Sequence, residues 1–203
     1  TQKFGFLTNN SNIITTFAHI QLKIYVMDKN IIYDNIISRT SVRSYTNQPI
    51  EQEKIELLLR AAMAAPSACN KQPWHFVVIN DRKMLDKIPS FSPYASMVKE
   101  APLAIVVCGD LDKALDGWEQ DFWIQDCAAA TENILLMAHG LGLGAVWTAL
   151  YPAKDRYQGM QQLLDLPESI IPLNTIIIGY PKGETKPKEK WKEENVSYNE
   201  YKR

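Results

Sequence analysis

Two stretches of this chain combine residue types that can do chemistry. The first is Arg39-Thr40-Ser41-Val42-Arg43-Ser44-Tyr45. Two guanidinium groups interleaved with hydroxyls offer fixed, fork-shaped donors to a phosphate or a carboxylate. Taken alone, the same residues also make an ordinary solvated helix end with a Ser/Thr turn. The second stretch is Ala65-Pro66-Ser67-Ala68-Cys69-Asn70-Lys71-Gln72-Pro73-Trp74-His75-Phe76. There a helix should stop at a proline, a polar loop follows, and an aromatic strand begins. Asn70 and Gln72 carry amides that donate and accept together, as the polar edge of a heterocycle requires. The ordinary alternative is a loop whose amides cap neighbouring backbone, with Trp74 and Phe76 in the core.

Other candidates carry less. Gly140, Gly142 and Gly144 suggest a dinucleotide fingerprint, but that motif needs a strand before the glycines and a helix after them. Here a helix precedes and a strand follows, so a helix C-cap with close packing accounts for them. Cys69, Cys108 and Cys127 show no CxxC or Cys/His spacing, and His19, His75 and His139 are scattered. No metal site is expected from such spacings. An odd number of irregularly placed cysteines fits free thiols in a reducing compartment, so the expected localisation is cytoplasmic.

The elements that must position these residues alternate helix and strand. A short helix is expected over 30–38. After Pro49 a stronger one places Ile55, Leu58, Leu59 and Ala62 on one face, with Glu51 and Glu53 in its first turn and Pro66 ending it. Residues 76–79 and 103–108 read as strands, and such continuous apolar runs fit central strands covered on both faces. A long helix is expected over 119–139, where Ala128, Ala129 and Ala130 allow close helix approach. A strand over 145–149, an amphipathic helix over 154–164 and a last central strand over 175–179 complete the pattern. The tail from Tyr180, rich in Pro, Lys and Glu, is expected to be extended and exposed.

Composition sets outer bounds. The 203 residues, 46% hydrophobic and 22% charged, suit one buried domain. A formal net charge of -1 leaves no electrostatic footprint for nucleic acid. No apolar run approaches a membrane-spanning length of about 20 residues, and the first 26 residues lack the pattern of a signal peptide. Met27-Asp28-Lys29 reads as a natural start. Residues 1–26 are therefore expected to be an extension outside the functional core, and 27–203 the functional domain.

The two chemical stretches, in this order and separation, resemble the nitroreductase family, whose members open with Arg-x-Ser-x-Arg/Lys and continue through Pro-Ser-x-x-Asn-x-Gln-Pro-Trp. The likeness continues through Asp126-Cys127-Ala128-Ala129-Ala130-Thr131-Glu132-Asn133, Gly140 to Trp147, and Ile178-Gly179-Tyr180-Pro181. It covers nearly everything from Tyr33 to Trp191. The resemblance implies an α+β fold, a three-layer α/β/α sandwich around a mixed, mostly antiparallel sheet, in an intertwined homodimer. It implies tightly bound FMN at the interface, with NADH or NADPH as co-substrate. Hydride would pass to flavin N5, and then electrons to a small organic acceptor of nitroaromatic, quinone or enone type in ping-pong fashion. The protein then supplies orientation and electrostatics, and no side chain is expected to be catalytic.

Carried over by the resemblance, Arg39, Thr40, Ser41 and Arg43 would bind the FMN phosphate, with Lys188 or Lys190 from the tail. The family often has arginine in that tail, where lysine offers a point charge without a fork. Pro66, Ser67, Asn70 and Gln72 would contact ring or ribityl chain from the other subunit. Trp147, Thr148, Ala149 and Leu150 would place backbone amides beside the flavin. The aromatic residues Trp118, Phe122 and Trp123, and the stretch from Phe91 to Met97, fall where the family builds a lid, or fill the dimer core.

Three other readings stay open at this point. One is a specialised flavoenzyme of the same fold, such as a dehalogenase, an enone reductase or an oxidase. Another is a flavin-binding module without turnover. The third is a thiol enzyme using Cys69 or Cys127, which would need a histidine base; Cys127, within an apolar helix, reads instead as an inert buried thiol.

Overall fold

The computed structural model describes residues 30–201. It forms two units by chain contacts, residues 1–38 and 39–203. The expected extension over 1–26 lies outside the described residues. In the first unit, residues 30–38 form a helix, α1.

The second unit is built on a four-stranded sheet: β1 (Trp74–Ile79), β2 (Leu103–Asp110), β3 (Gly144–Ala149) and β4 (Ile170–Gly179), in the order β1-β2-β4-β3. All three strand pairs are antiparallel. Every residue of β2 is buried and β4 has eight buried residues in its pattern, as expected of central strands. The apolar run at Phe76–Ile79 is an edge strand instead. One β1 flank pairs with β2, and its burial comes from helices above and below.

The side chains of β2 alternate between two cores. Leu103, Ile105 and Val107 face α2 (Gln52–Met63) and α4 (Phe122–Gly140), packing with Leu58, Ala62, Ala130 and Ile134. Ala104, Val106 and Cys108 face the other layer, with Leu85 of the short α3 (Arg82–Leu85) and Met160 of α5 (Lys154–Leu164). The result is three layers, helix on sheet on helix, with small side chains of α4 letting α2 approach closely.

Local chemistry explains the element ends. Gly142 adopts φ +72 just past α4, and the Leu143 N–H donates to the Ala138 carbonyl at 2.8 Å, closing the helix. The glycines are therefore a helix stop, as their order implies. Glu51 proves to be the N-cap residue of α2, without capping it. Its carboxylate accepts the Tyr180 hydroxyl proton at 2.6 Å instead, tying the start of α2 to the end of β4. β4 begins five residues earlier than the sequence pattern suggests. Its extra part contains Pro172 and a register break opposite Val107/Cys108, an irregularity that apolar alternation does not reveal.

Candidate functional site

The Arg39–Arg43 segment is held along the outer edge of β3. Ser41 bridges Ala145 in parallel fashion, and the Val42 N–H donates to the Ala145 carbonyl at 3.0 Å. Val42 packs inward, while Ser41 and Arg43 are exposed. The close approach needs a glycine opposite: a Cβ on Gly144 would stand 2.7 Å from Val42 Cβ. Three residues on, the buried Tyr45 hydroxyl reaches the carbonyls of Val42 and Ile177, and burial pushes its pKa up. Arg39 turns to α4, with its Nε 3.6 Å from the Glu132 carboxylate. Burial, then the Arg39 charge, holds the pKa of nearby His139 below its usual value.

The same strand edge carries the second group. Ala145 points its carbonyl outward to Val42, so two-residue alternation points the backbone groups of Trp147 and Ala149 outward as well. Among the described residues no strand pairs with that edge beyond Ala145. Thr148 points the other way, its hydroxyl donating to the Thr175 carbonyl at 2.8 Å. Leu150 is fully buried, and its N–H donates to the Leu173 carbonyl at 3.0 Å. Leu173 stands where the β4 register breaks. From Ala145 to Ala149 the edge covers roughly 13 Å at about 3.3 Å per residue.

The third group is the loop after α2. Ser67 accepts the Gln72 N–H on its Oγ at 2.9 Å, and the Gln72 amide donates to Asn70 Oδ1 at 2.9 Å. The two amides thus bond each other rather than cap the backbone. Cys69, Asn70 and Gln72 take φ values of 49, 54 and 50, the left-handed region that non-glycine residues avoid. Asn70 and Gln72 are exposed, as is Pro66. Trp74 is buried in the core, as its aromatic context suggests.

The arginine segment and the β3 edge are thus brought together. Loop 66–72 shares a support with them, since Asp126 of α4 accepts the Ala68 N–H at 2.9 Å. Glu132, which faces Arg39, lies six positions along that helix, roughly 9 Å. Lys188 and Lys190 are exposed in the tail. The sequence reading did not single out Asp126, Glu132 or Asn174 as supports. Asn174 is fully buried opposite Ala149, and its amide donates to Thr131 of α4 at 2.9 Å. The available signal was polarity inside an apolar run.

The remaining candidates separate cleanly. Cys127 is fully buried with its thiol pushed up by burial, and Cys108 is pushed up to about 12 for the same reason. Neither is a thiolate nucleophile near neutral pH. Among the described residues no cluster of His, Cys, Asp or Glu is placed to hold a metal ion, and no helix is long and apolar enough to cross a membrane. A cleft of about 910 Å³ between Tyr45, Leu85, Glu100 and Leu103 takes none of the candidate residues.

Comparison with known proteins adds an independent line. The model of the nitroreductase family matches residues 36–92 and 91–180. A Methanothermobacter thermautotrophicus protein with the provisional name NADH dehydrogenase/NAD(P)H nitroreductase is 46% identical over 173 residues, 84% of this chain and 86% of its own. The FMN reductase [NAD(P)H] of Bacillus subtilis is 26% identical over 84% of this chain and 74% of its own. The structure of an FMN-dependent nitroreductase from Clostridium difficile superposes with a TM-score of 0.74 at 30% identity, covering 80% of this chain and 96% of that one.

Proposed function

Since the chain belongs to the nitroreductase family and is an NAD(P)H-dependent flavin oxidoreductase, we propose that FMN lies along the outer edge of β3 and that the acceptor is a small organic molecule of the nitroaromatic, quinone or enone type. The observation that carries this reading is the shared edge. The backbone of the segment that carries Arg39, Ser41 and Arg43 docks at Ala145, while outward backbone groups follow at Trp147 and Ala149. A spacing of roughly 13 Å along the strand suits a cofactor with its phosphate at one end and its ring at the other.

The donor set fits the group. Arg39 and Arg43 present forks to a phosphate dianion, with Ser41 as a neutral donor and Thr40 beside it. Lys188 and Lys190 add charge from the tail. The Trp147 and Ala149 N–H groups favour negative charge at whatever ring edge they meet, and Thr148 and Leu150 fix their direction through bonds to β4. Pro66, Ser67, Asn70 and Gln72, from a second subunit, close the site. Bound FMN supplies the redox chemistry, taking electrons from NADH or NADPH and passing them to the acceptor. Ile31, Ile32, Ile36 and Ile37 of α1, and Trp191 of the tail, are exposed apolar groups that a homodimer would bury.

The test is optical. The purified protein should take up FMN and bleach anaerobically with NADH or NADPH, then recover its colour with a quinone or nitroaromatic. A protein that binds FMN but never bleaches is a binding module, and one that fails to take up FMN defeats the proposal. Arg39→Ala should weaken FMN binding by about tenfold to a hundredfold, the worth of a charge-assisted contact. Unchanged affinity, read by flavin fluorescence, would displace the phosphate from that end of the edge.

A further inference from the structure

Asp126 sits where an apolar residue is expected. It lies between Trp123, Cys127 and Ala130, all buried, and only 7% of it is exposed. Its carboxylate accepts the Ala68 N–H at 2.9 Å, and no ion pair among the described residues neutralises it. A nearly buried carboxylate with so little compensation opposes folding, and the Ala68 hydrogen bond is what it gains in return. Burial raises its pKa, as that isolation implies, and the Ala68 hydrogen bond offsets part of the rise.

Ala68 begins the sterically disfavoured part of the loop, where Cys69, Asn70 and Gln72 all take positive φ. Most of the loop's other hydrogen bonds are internal. Ser67 accepts Gln72 N–H and Asn70 N–H, Ala68 accepts Lys71 N–H, and Asn70 accepts the Gln72 amide. Internal bonds fix the loop's shape but not its place. The Asp126 bond attaches that shape to α4, whose Cys127, Ala130 and Ile134 are fully buried in the core.

We propose that Asp126 is a positioning residue for FMN, its carboxylate oxygen holding loop 66–72 where Pro66, Ser67, Asn70 and Gln72 meet the cofactor. This rests on the FMN site proposed above. What matters is an acceptor at that point, so an amide oxygen serves nearly as well as a carboxylate. Removing the donor from the loop side is equivalent. Ala68 is the first residue of a 3₁₀ turn, where proline fits the backbone and lacks the N–H.

Three variants, Asp126→Ala, Asp126→Asn and Ala68→Pro, are compared with the wild type. The readouts are FMN affinity by fluorescence and deuterium exchange of the 66–72 peptide in the FMN-free protein. Asp126→Ala and Ala68→Pro should each weaken FMN by about tenfold and speed exchange in that peptide. Asp126→Asn should stay within about threefold of wild type on the same scale. Combining Asp126→Ala with Ala68→Pro should be no worse than either alone, because both remove one bond.

Unchanged FMN affinity in Asp126→Ala and Ala68→Pro overturns the inference, even if the peptide exchanges faster. So does an Asp126→Asn variant as weak as Asp126→Ala. Should Asp126→Ala fail to fold, Ala68→Pro decides alone. A wild-type protein without FMN uptake sinks both the site and this inference, whereas unchanged variants of an FMN-binding protein sink the inference only.

Discussion

Arg39 has two neighbours on α4 that respond to it in opposite ways. Glu132 gains from its charge, although a pair 3.6 Å apart with the carboxylate half exposed contributes little, under about 1 kcal/mol. His139 loses, because burial and then the Arg39 charge depress its pKa. A depressed folded value means that the unfolded chain takes up the proton first as pH falls. Stability is therefore complete above the unfolded value, about 6.5, and declines below it until the folded histidine protonates too. Thermal unfolding of the FMN-free protein should show this loss setting in as pH falls through about 6.5. Arg39→Ala should show a shallower loss, and an unchanged slope would mean that burial alone depresses His139. Asp126 runs the other way: its folded pKa is raised, so stability falls as pH rises through that value. Asp126→Asn should accordingly raise the unfolding temperature at neutral pH, with the gain vanishing near about pH 4.

At the scale of elements, the edge of β3 depends on a fit between backbone and one side chain. Gly144→Ala should cost about 1–3 kcal/mol in urea unfolding, because a Cβ 2.7 Å from Val42 cannot be accommodated without lifting the arginine segment. FMN affinity should fall with it. Tyr45→Phe should cost about 1 kcal/mol, the worth of a buried hydroxyl that ties the segment to Ile177. Much of this architecture was legible beforehand. Periodicity located α2, α4 and α5, and the uninterrupted apolar run from Leu103 announced a strand buried on both faces. Pro66 and the amides of Asn70 and Gln72 announced the loop. Periodicity carries no record of the loop's left-handed backbone, nor of Asp126 reaching across 58 positions to hold it. Pairing order is equally silent in a run such as Phe76–Ile79, since an edge strand between two helical layers is as apolar as a central one.

For the whole molecule, the tail is the part that the proposed dimer would engage. Trp191, Tyr198 and Tyr201 are more than 70% exposed, an unusual expense of aromatic surface for a free tail. A dimer in light scattering, dissociated by removing residues 184–203, would fit the proposed assembly. If Lys188 and Lys190 reach the phosphate, changing both to alanine should flatten the salt dependence of FMN affinity. An unchanged dependence would leave the phosphate to the arginines alone.

The strand order has a consequence for how the chain is made. β4 is the last strand in sequence but lies between β2 and β3, pairing with both. A growing polypeptide that has passed α5 therefore holds one completed hairpin-like pair, β1 with β2, and a β3 without its strand partner. Its edge and the apolar side chains of α4 wait, uncovered, for the final ten-residue strand to emerge. Completion of the sheet is thus postponed until β4 has been made. A ribosome stalled before Ile170 would hold a sticky, protease-sensitive intermediate, and one stalled well after Gly179 a resistant body.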